Sequence, residues 1–273
     1  MAFSLWIDWS HVRKIYNGKR LKESSNRFDR NVALLDFSAT IRNGITVVLG
    51  PKGSGKSSLL KITAAMLPPD DGRITYQLSD GMQFSWSQKH FSSHQSSDIE
   101  TLRERIGYVP PLQKINHPIT CEESLYYLGQ LRRIPNLRRR CAEIIAKWGL
   151  AGYRKSLLRE LPVHVLKRHL MAQSLLASPE IWILDDPTYG LDDLGRNLLI
   201  RALEDYRQKG RIVIIATKDM ELAEIADDLI LLEYGSCRRI GKKKYLTASV
   251  SEGTVAAWYQ AMQVFSHLHH PVI

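Results

Sequence analysis

The run Gly50-Pro51-Lys52-Gly53-Ser54-Gly55-Lys56-Ser57 sets glycines, a lysine and a hydroxyl at the spacing G-x-x-x-x-G-K-[ST]. Each residue type has a chemical reason. Glycines let the backbone wrap closely around an anion and point N–H groups at it without interference from Cβ. Lys56 would reach the β and γ phosphates of a nucleotide as a point charge, and Ser57 would offer its hydroxyl to Mg²⁺. The helix that follows presents the positive end of its dipole to the same anion. Far downstream, Ile181-Trp182-Ile183-Leu184-Asp185-Asp186 is an apolar run ending in two carboxylates. Asp185, at the end of such a strand, would hold Mg²⁺ through water. In isolation the loop could be a chance turn and the acidic pair simple helix capping. Found together, with the loop after a strand and before a helix, they point to nucleotide binding.

These residues need elements to hold them. The run 45–49 reads as a buried strand, and the helical pattern 56–67 follows the glycine turn and stops at Pro68-Pro69. Further short apolar runs at 181–184, 212–216 and 228–232 alternate with helical stretches near 194–208 and 220–226. Residues 77–100, rich in Ser, His and Gln with Phe84, Trp86 and Phe91 interspersed, read as an exposed loop or hairpin. Thr120 followed by Glu123 fits a capping box, and helical periodicity continues through 141–150 and 166–176. The expected fold is α/β, a core with a mainly parallel sheet and an inserted α-helical subdomain at about 112–178. The core spans 1–247, and 248–273 forms a C-terminal helical tail that packs on the core or on a partner.

Composition narrows the classes further. The chain has 273 residues and a net charge of +10, with ordinary apolar and charged fractions, which excludes intrinsic disorder and collagen-like or coiled-coil architectures. No apolar run approaches the roughly 18 residues that a membrane span needs, and no secretion signal is expected, since Asp8 interrupts the first apolar stretch. A cytosolic setting is expected. Cys121, Cys141 and Cys237 form no CxxC pair, so reduced thiols are expected rather than a disulfide framework or a zinc site.

In order and spacing the motifs resemble those of the ATP-binding subunit of ABC transporters, over residues from about 5 to 247. Gly50–Ser58 looks like the Walker A loop, and Ile106-Gly107-Tyr108-Val109-Pro110 like the approach to the Q-loop. Leu161–Gln173 stands in the place of the signature helix. Leu184-Asp185-Asp186-Pro187-Thr188 resembles Walker B, with Gly190-Leu191-Asp192 as the D-loop. Thr217-Lys218-Asp219 falls where the switch histidine belongs, and Tyr16 is similar to the aromatic residue that stacks on adenine. The resemblance implies a P-loop NTPase core with an antiparallel β subdomain, ATP and Mg²⁺ as ligands, and two such domains pairing head to tail. Each ATP site would then take its Walker motifs from one chain and its signature from the other. A separate integral membrane transporter subunit is the further partner, and the peripheral, cytoplasmic face of the cell membrane the location.

Four positions depart from the family pattern. Leu161-Pro162-Val163-His164-Val165 replaces Leu-Ser-Gly-Gly-Gln, and Pro162 has no N–H to offer a γ-phosphate. His164, Lys167 and Arg168 could supply positive charge by another geometry. Asp186 holds the catalytic glutamate position with a shorter side chain, and Lys218 the switch histidine position. Pro111 stands where the Q-loop glutamine belongs, and Gln113 could substitute. The chain therefore reads as built to bind ATP more than to hydrolyse it.

The leading expectation is an exporter's ATP-binding subunit with weak or partner-dependent hydrolysis, paired with a second, better-equipped ATP-binding chain. The alternatives are a nucleotide-locked scaffold of a membrane complex and, third, a soluble ABC-type ATPase acting on nucleic acid. No nucleic-acid recognition motif accompanies the basic clusters. Arg132-Arg133, Arg138-Arg139-Arg140 and Lys242-Lys243-Lys244 read as solvated surface, with anionic lipid headgroups as a possible contact of the arginines.

Overall fold

The computed structural model describes residues 4–17, 30–89, 96–113 and 118–269. Strands β1 (Trp6–Asn17), β2 (Arg30–Arg42), β4 (Asp71–Gln77) and β5 (Gln83–Trp86) form an antiparallel sheet in the order β2-β1-β4-β5. A second sheet holds β3 (Gly44–Leu49), β6 (Ile106–Val109), β7 (Ile181–Asp185), β8 (Ile212–Ala216), β9 (Asp228–Glu233) and β10 (Ser236–Lys242). Its order is β10-β9-β3-β8-β7-β6, parallel except for β10, which runs antiparallel to β9. β3, β7 and β8 are buried at every position, which is why they read as unbroken apolar runs. Their side chains alternate between two apolar clusters. Val47, Trp182 and Val213 face the larger helical side, and Val48, Ile183 and Ile214 face the antiparallel sheet and the helix after β3. β8 lies between β3 and β7, and Ala216 pairs with Val48 on one side and Asp185 on the other. That register brings the glycine loop and the carboxylate pair to one edge of the sheet.

Nine α-helices accompany these strands among the described residues: α1 (Lys56–Thr63), α2 (Ser96–Glu104), α3 (Cys121–Leu131), α4 (Leu137–Lys147), α5 (Val163–Leu175), α6 (Asp193–Gln208), α7 (Met220–Ala223), α8 (Lys243–Thr247) and α9 (Val255–His269). The capping box at α3 is present, Glu123 N–H donating to Thr120 Oγ1 at 3.2 Å and Thr120 N–H to Glu123 Oε2 at 2.9 Å. Several boundaries differ from the periodicity reading. α1 ends at Thr63 rather than Leu67 because Ala65 takes a left-handed φ of 53°, and its carbonyl accepts from Arg103 Nε and Nη2. α5 begins at Val163 rather than Leu166, since Pro162 sets a helix-ready φ immediately before it. The segment 77–100 does contain a hairpin, but Trp86 is fully buried and its Nε1–H donates to the Leu67 carbonyl at 3.2 Å. Phe91 lies outside the described residues.

Charge at the helical surface is partly absorbed internally. Arg139 pairs with Glu143, Arg140 donates to the carbonyls of Leu175 and Leu176, and Lys242 pairs with Asp228. The tail is continuous with the core: Val255 and Trp258 are buried in the larger cluster, and Gln263 Nε2 donates to Glu233 Oε1 at 3.0 Å. All three cysteines are free thiols.

Inside the helical region, His169 of α5 is fully buried between two α3 side chains. Cys121 Sγ lies 3.2 Å from its Nδ1 and Ser124 Oγ 2.8 Å from its Nε2. Ser124 Oγ also donates to the Cys121 carbonyl, so the contacts are all satisfied when Nε2–H donates to Ser124 and Nδ1 accepts from the thiol. Burial holds the imidazole down at about 4, which keeps it neutral. The unfolded chain takes this proton near its ordinary 6.5 and the folded chain only near 4, so folding is progressively weakened as pH falls between those values. From pH 7 to 5 this one group should remove about 2 kcal/mol of stability. Urea unfolding at the two pH values measures it, and His169→Gln should shrink the difference; an unchanged pH dependence would contradict the assignment.

Candidate functional site

The loop after β3 owes its shape to glycine. Gly50 sits at φ 151°, and a Cβ there would lie 2.0 Å from the Leu232 carbonyl oxygen of β9. Gly55, at φ 103°, packs so closely that a Cβ would lie 2.1 Å from the Ala33 carbonyl oxygen. Ser54 N–H donates to the Pro51 carbonyl at 3.2 Å, closing the turn. A second hairpin braces it from outside. Tyr234 and Gly235, both at positive φ, form the tight turn between β9 and β10. Gly235 N–H donates to the Ser54 carbonyl at 3.1 Å, while its own carbonyl accepts from Leu35 N–H at 3.0 Å. No side chain caps the start of α1, so its first N–H groups are left for a ligand.

Lys56 Nζ folds back onto the loop, donating to the carbonyls of Gly50 (2.6 Å) and Pro51 (2.8 Å) and to Ser54 Oγ (3.3 Å). Burial lowers its pKa, Asp186 works against that, and the nearby Lys218 ammonium adds to the lowering. Lys218 itself is exposed. The Ser57 hydroxyl is hydrogen-bonded to the Asp185 carboxylate, whose pKa is raised by burial and by Asp186 and lowered by Ser57. Asp185 Oδ2 is buried with no hydrogen-bond partner. Asp186 takes a left-handed φ of 46° just past the strand and donates its N–H to the Ala216 carbonyl. Lys52 and Gly53 lie at the exposed rim, and no atom lies within 4 Å of where a Gly53 Cβ would be.

The other predicted residues surround this cluster. The half-exposed Tyr16 places its hydroxyl 3.2 Å from Ser58 Oγ on α1. Pro162 precedes α5 without making a side-chain cap, and Val163 beside it is 54% exposed. The carbonyl of Pro162 accepts from Leu166 N–H, and Val165 and Leu161 are buried. Gly190 is so close to Val163 that a Cβ would meet Val163 Cγ1 at 2.8 Å. Asp192 caps α6 through Gly195 N–H and draws Arg168 Nε to 3.9 Å and His164 Nε2 to 4.0 Å. Pro111 is half-buried and Gln113 exposed.

Two of the three basic residues expected to serve a neighbouring chain turn inward. Arg168 is buried against the Trp148 and Gly149 carbonyls, and Lys167 is fully buried with Nζ 3.4 Å from the Pro110 carbonyl oxygen. Burial holds the Lys167 ammonium at about 8, and Asp185 and Asp186 oppose the shift. Tyr108 stood out in the sequence only as part of the approach to the Q-loop. Its hydroxyl is buried and unpartnered, and burial together with Asp185 raises its pKa.

The sequence model of the ABC transporter family matches residues 34–189, more than half of the chain. The chain belongs to this family. It is 29% identical over 255 residues to the daunorubicin/doxorubicin resistance ATP-binding protein DrrA of Streptomyces peucetius, covering 91% of this chain and 69% of that protein. It is 27% identical over 245 residues to the ABC transporter ATP-binding/permease protein Rv1747 of Mycobacterium tuberculosis. That match covers 87% of this chain but only 26% of the relative. In fold it is similar to a solved ATP-binding subunit of an ABC transporter, at TM-score 0.75 and 17% identity, covering 94% of this chain and 99% of the other. The two sheets and the helical region are thus those of an ABC ATP-binding cassette.

Cassettes of the ABC family generally bind ATP with Mg²⁺, and the residues present fit the cation. A hard divalent ion wants oxygen ligands, and the unpartnered Asp185 Oδ2 beside the Ser57 hydroxyl supplies them. Bound there, Mg²⁺ would supply charge neutralisation at phosphate oxygens.

Proposed function

We propose that the chain is the ATP-binding subunit of an ABC exporter whose own hydrolytic apparatus is weak, so that ATP binding does most of its work. The observation that carries the reading is the convergence of Lys56, Ser57 and the unpartnered Asp185 Oδ2 at one sheet edge. In this reading Lys56 exchanges its loop carbonyls for phosphate oxygens, and Ser57 and Asp185 hold Mg²⁺. Tyr16 lies against the base, and the residues from Gly50 to Ser58 enclose the phosphates. Asp186 would have to orient the attacking water with a carboxylate one methylene short, and a displacement on the order of 1 Å costs about 100-fold in rate. Lys218 donates hydrogen bonds but cannot accept one, so it holds phosphate without relaying a proton. Export as the direction draws support from the relative named for drug resistance.

ABC ATP-binding subunits work with membrane transporter components, and a cleft of about 460 Å³ suits such a partner. It lies between the helical region and the start of β7, lined by Arg105, Arg132, Arg133 and Arg140 with Glu104 and Glu180. Arg132 Nη1 is buried there without a partner and would take an acidic group of the membrane subunit. Among the described residues no helix is long and apolar enough to cross a membrane, so attachment at the cytoplasmic face would come through that partner, aided by anionic lipid at the arginines. A homodimer would lack signature N–H donors at both sites because of Pro162, which favours a heterodimer with a second ATP-binding chain.

Mg²⁺-dependent phosphate release by the purified chain, with Lys56→Ala as the blank, tests the reading. Turnover close to the blank is expected, rising only when a partner cassette is co-expressed. Brisk release by the chain alone, or an ATP-dependent homodimer in light scattering, would count against weak hydrolysis and heterodimer pairing respectively. The scaffold alternative predicts tight binding with no release even beside the partner.

A further inference from the structure

Tyr16 reaches the nucleotide site from a strand whose pairing slips just before it. β1 and β2 pair as Lys14 with Leu34 and Ile15 with Val32, so the register skips Ala33, whose carbonyl oxygen packs against Gly55 of the phosphate loop. A second slip falls between Val12 and Lys14, and the pairing with β4 slips between Ser10 and Arg13. Bulges of this kind bend a strand and re-aim its side chains. One residue just ahead of β4 pins the bend. Asp70 donates its N–H to the Arg13 carbonyl at 2.8 Å. Its Oδ1 accepts from Lys14 Nζ at 2.7 Å and its Oδ2 from Ile15 N–H at 2.7 Å. Lys14 is buried, donates also to the Pro68 carbonyl at 2.9 Å, and has its ammonium 5.9 Å from the centroid of the Tyr16 ring. That distance is within cation–π range. At the other end of the ring, the hydroxyl lies 3.2 Å from Ser58 Oγ on α1.

We infer that Lys14 and Asp70 are positioning residues for nucleobase binding: they hold the Tyr16 ring in the orientation at which a base stacks on it. The inference rests on the nucleotide-site reading above, in which Tyr16 lies against the base. With Asp70 more than a third exposed, the ion pair adds little to stability by itself. Its effect is local, because Asp70 bonds three successive residues of β1 immediately before Tyr16. A ring whose stem is fixed by those bonds and whose tip is held at Ser58 gives up less freedom when a base arrives. The phosphates are served by other groups, since the Lys14 ammonium is engaged by Asp70 and Pro68 and the Lys56 ammonium by the loop. Loss of the pair should therefore weaken the hold on the base and spare the hold on the phosphates.

The test measures, by isothermal titration with Mg²⁺, the affinity for ATP and for inorganic tripolyphosphate, which carries the phosphates without the base. The ratio of the two isolates the base. Tyr16→Ala should lower that ratio about tenfold, as expected for loss of one base–aromatic stack. Lys14→Met and Asp70→Asn should each lower it about fivefold, through weaker ATP binding at unchanged tripolyphosphate affinity. Asp70→Asn replaces one atom of a partly exposed side chain, so the comparison does not depend on Lys14→Met folding. In the Tyr16→Ala background, Asp70→Asn should cost nothing more. A wild-type ratio in either folded variant overturns the inference. So does equal weakening of both ligands, or a loss in the double variant that adds to that of Tyr16→Ala. The level of failure is distinguishable. If Tyr16→Ala lowers the ratio and the other two do not, this inference falls alone; if Tyr16→Ala leaves the ratio unchanged, the placing of the base falls with it. Lys56→Ala, which should weaken both ligands alike, reports separately on the phosphate site.

Discussion

Lys56→Ala should weaken ATP binding by at least about 100-fold, from the loss of charge-assisted hydrogen bonds to two phosphates at about 1.5–3 kcal/mol each. The side chain is held in place beforehand by the Gly50 and Pro51 carbonyls, so it meets the nucleotide with little ordering left to do. Removing it also releases those two carbonyls, yet the loop keeps its shape through the Ser54–Pro51 and Gly235–Ser54 bonds. The variant should therefore melt within a few degrees of wild type while binding is lost. Isothermal titration with ATP and Mg²⁺, alongside a thermal melt, makes the comparison. Unaltered affinity would mean that the phosphates are held elsewhere.

Gly50→Ala should damage both stability and binding. A φ of 151° is open to glycine but strained for alanine, and the added methyl would stand 2.0 Å from a backbone oxygen of β9 that cannot swing aside. Strain of this kind costs about 1–3 kcal/mol before the clash is relieved, and relief requires β3 and β9 to part. A fall in Tm of roughly 5–10 °C follows for a chain of this size, together with ATP affinity close to that of Lys56→Ala. Gly53→Ala is the control: φ is also positive there, but no neighbouring atom opposes the methyl group. Equal melting of the Gly50 and Gly53 variants would show that contact with Leu232 is not what makes residue 50 a glycine.

The phosphate loop was legible because its chemistry is written in consecutive residues, and Asp185 because a buried strand ending in a carboxylate is rare. The parallel core was legible for a related reason: strands covered on both faces leave unbroken apolar runs. The extent of α5 was not. Val165, Leu166, Lys167, Arg168 and His169 are buried in succession, so the helix has no polar stripe to mark its phase. The same burial hid Lys167, whose basic type suggested a surface partner while its surroundings come from Pro110 and the end of β7. Trp86 was hidden by its polar neighbours in sequence, because what surrounds it lies in β4, in α2 and at the Leu67 carbonyl. Gly235 carried no signal, since its bond to Ser54 joins residues that only the fold brings together.

That bond has a consequence for biosynthesis. Gly235 follows Ser54 by 181 residues, and the neighbours of β3 on both sides, β8 and β9, are equally late in the chain. A ribosome that has released the first 200 residues has therefore exposed the glycine loop with neither flanking strand to order it and no hairpin to close it. Such long-range pairing makes assembly slow and leaves the β3 edge exposed in the interval. The phosphate loop, encoded near the start of the chain, is braced to hold its ligand only as the last strands emerge.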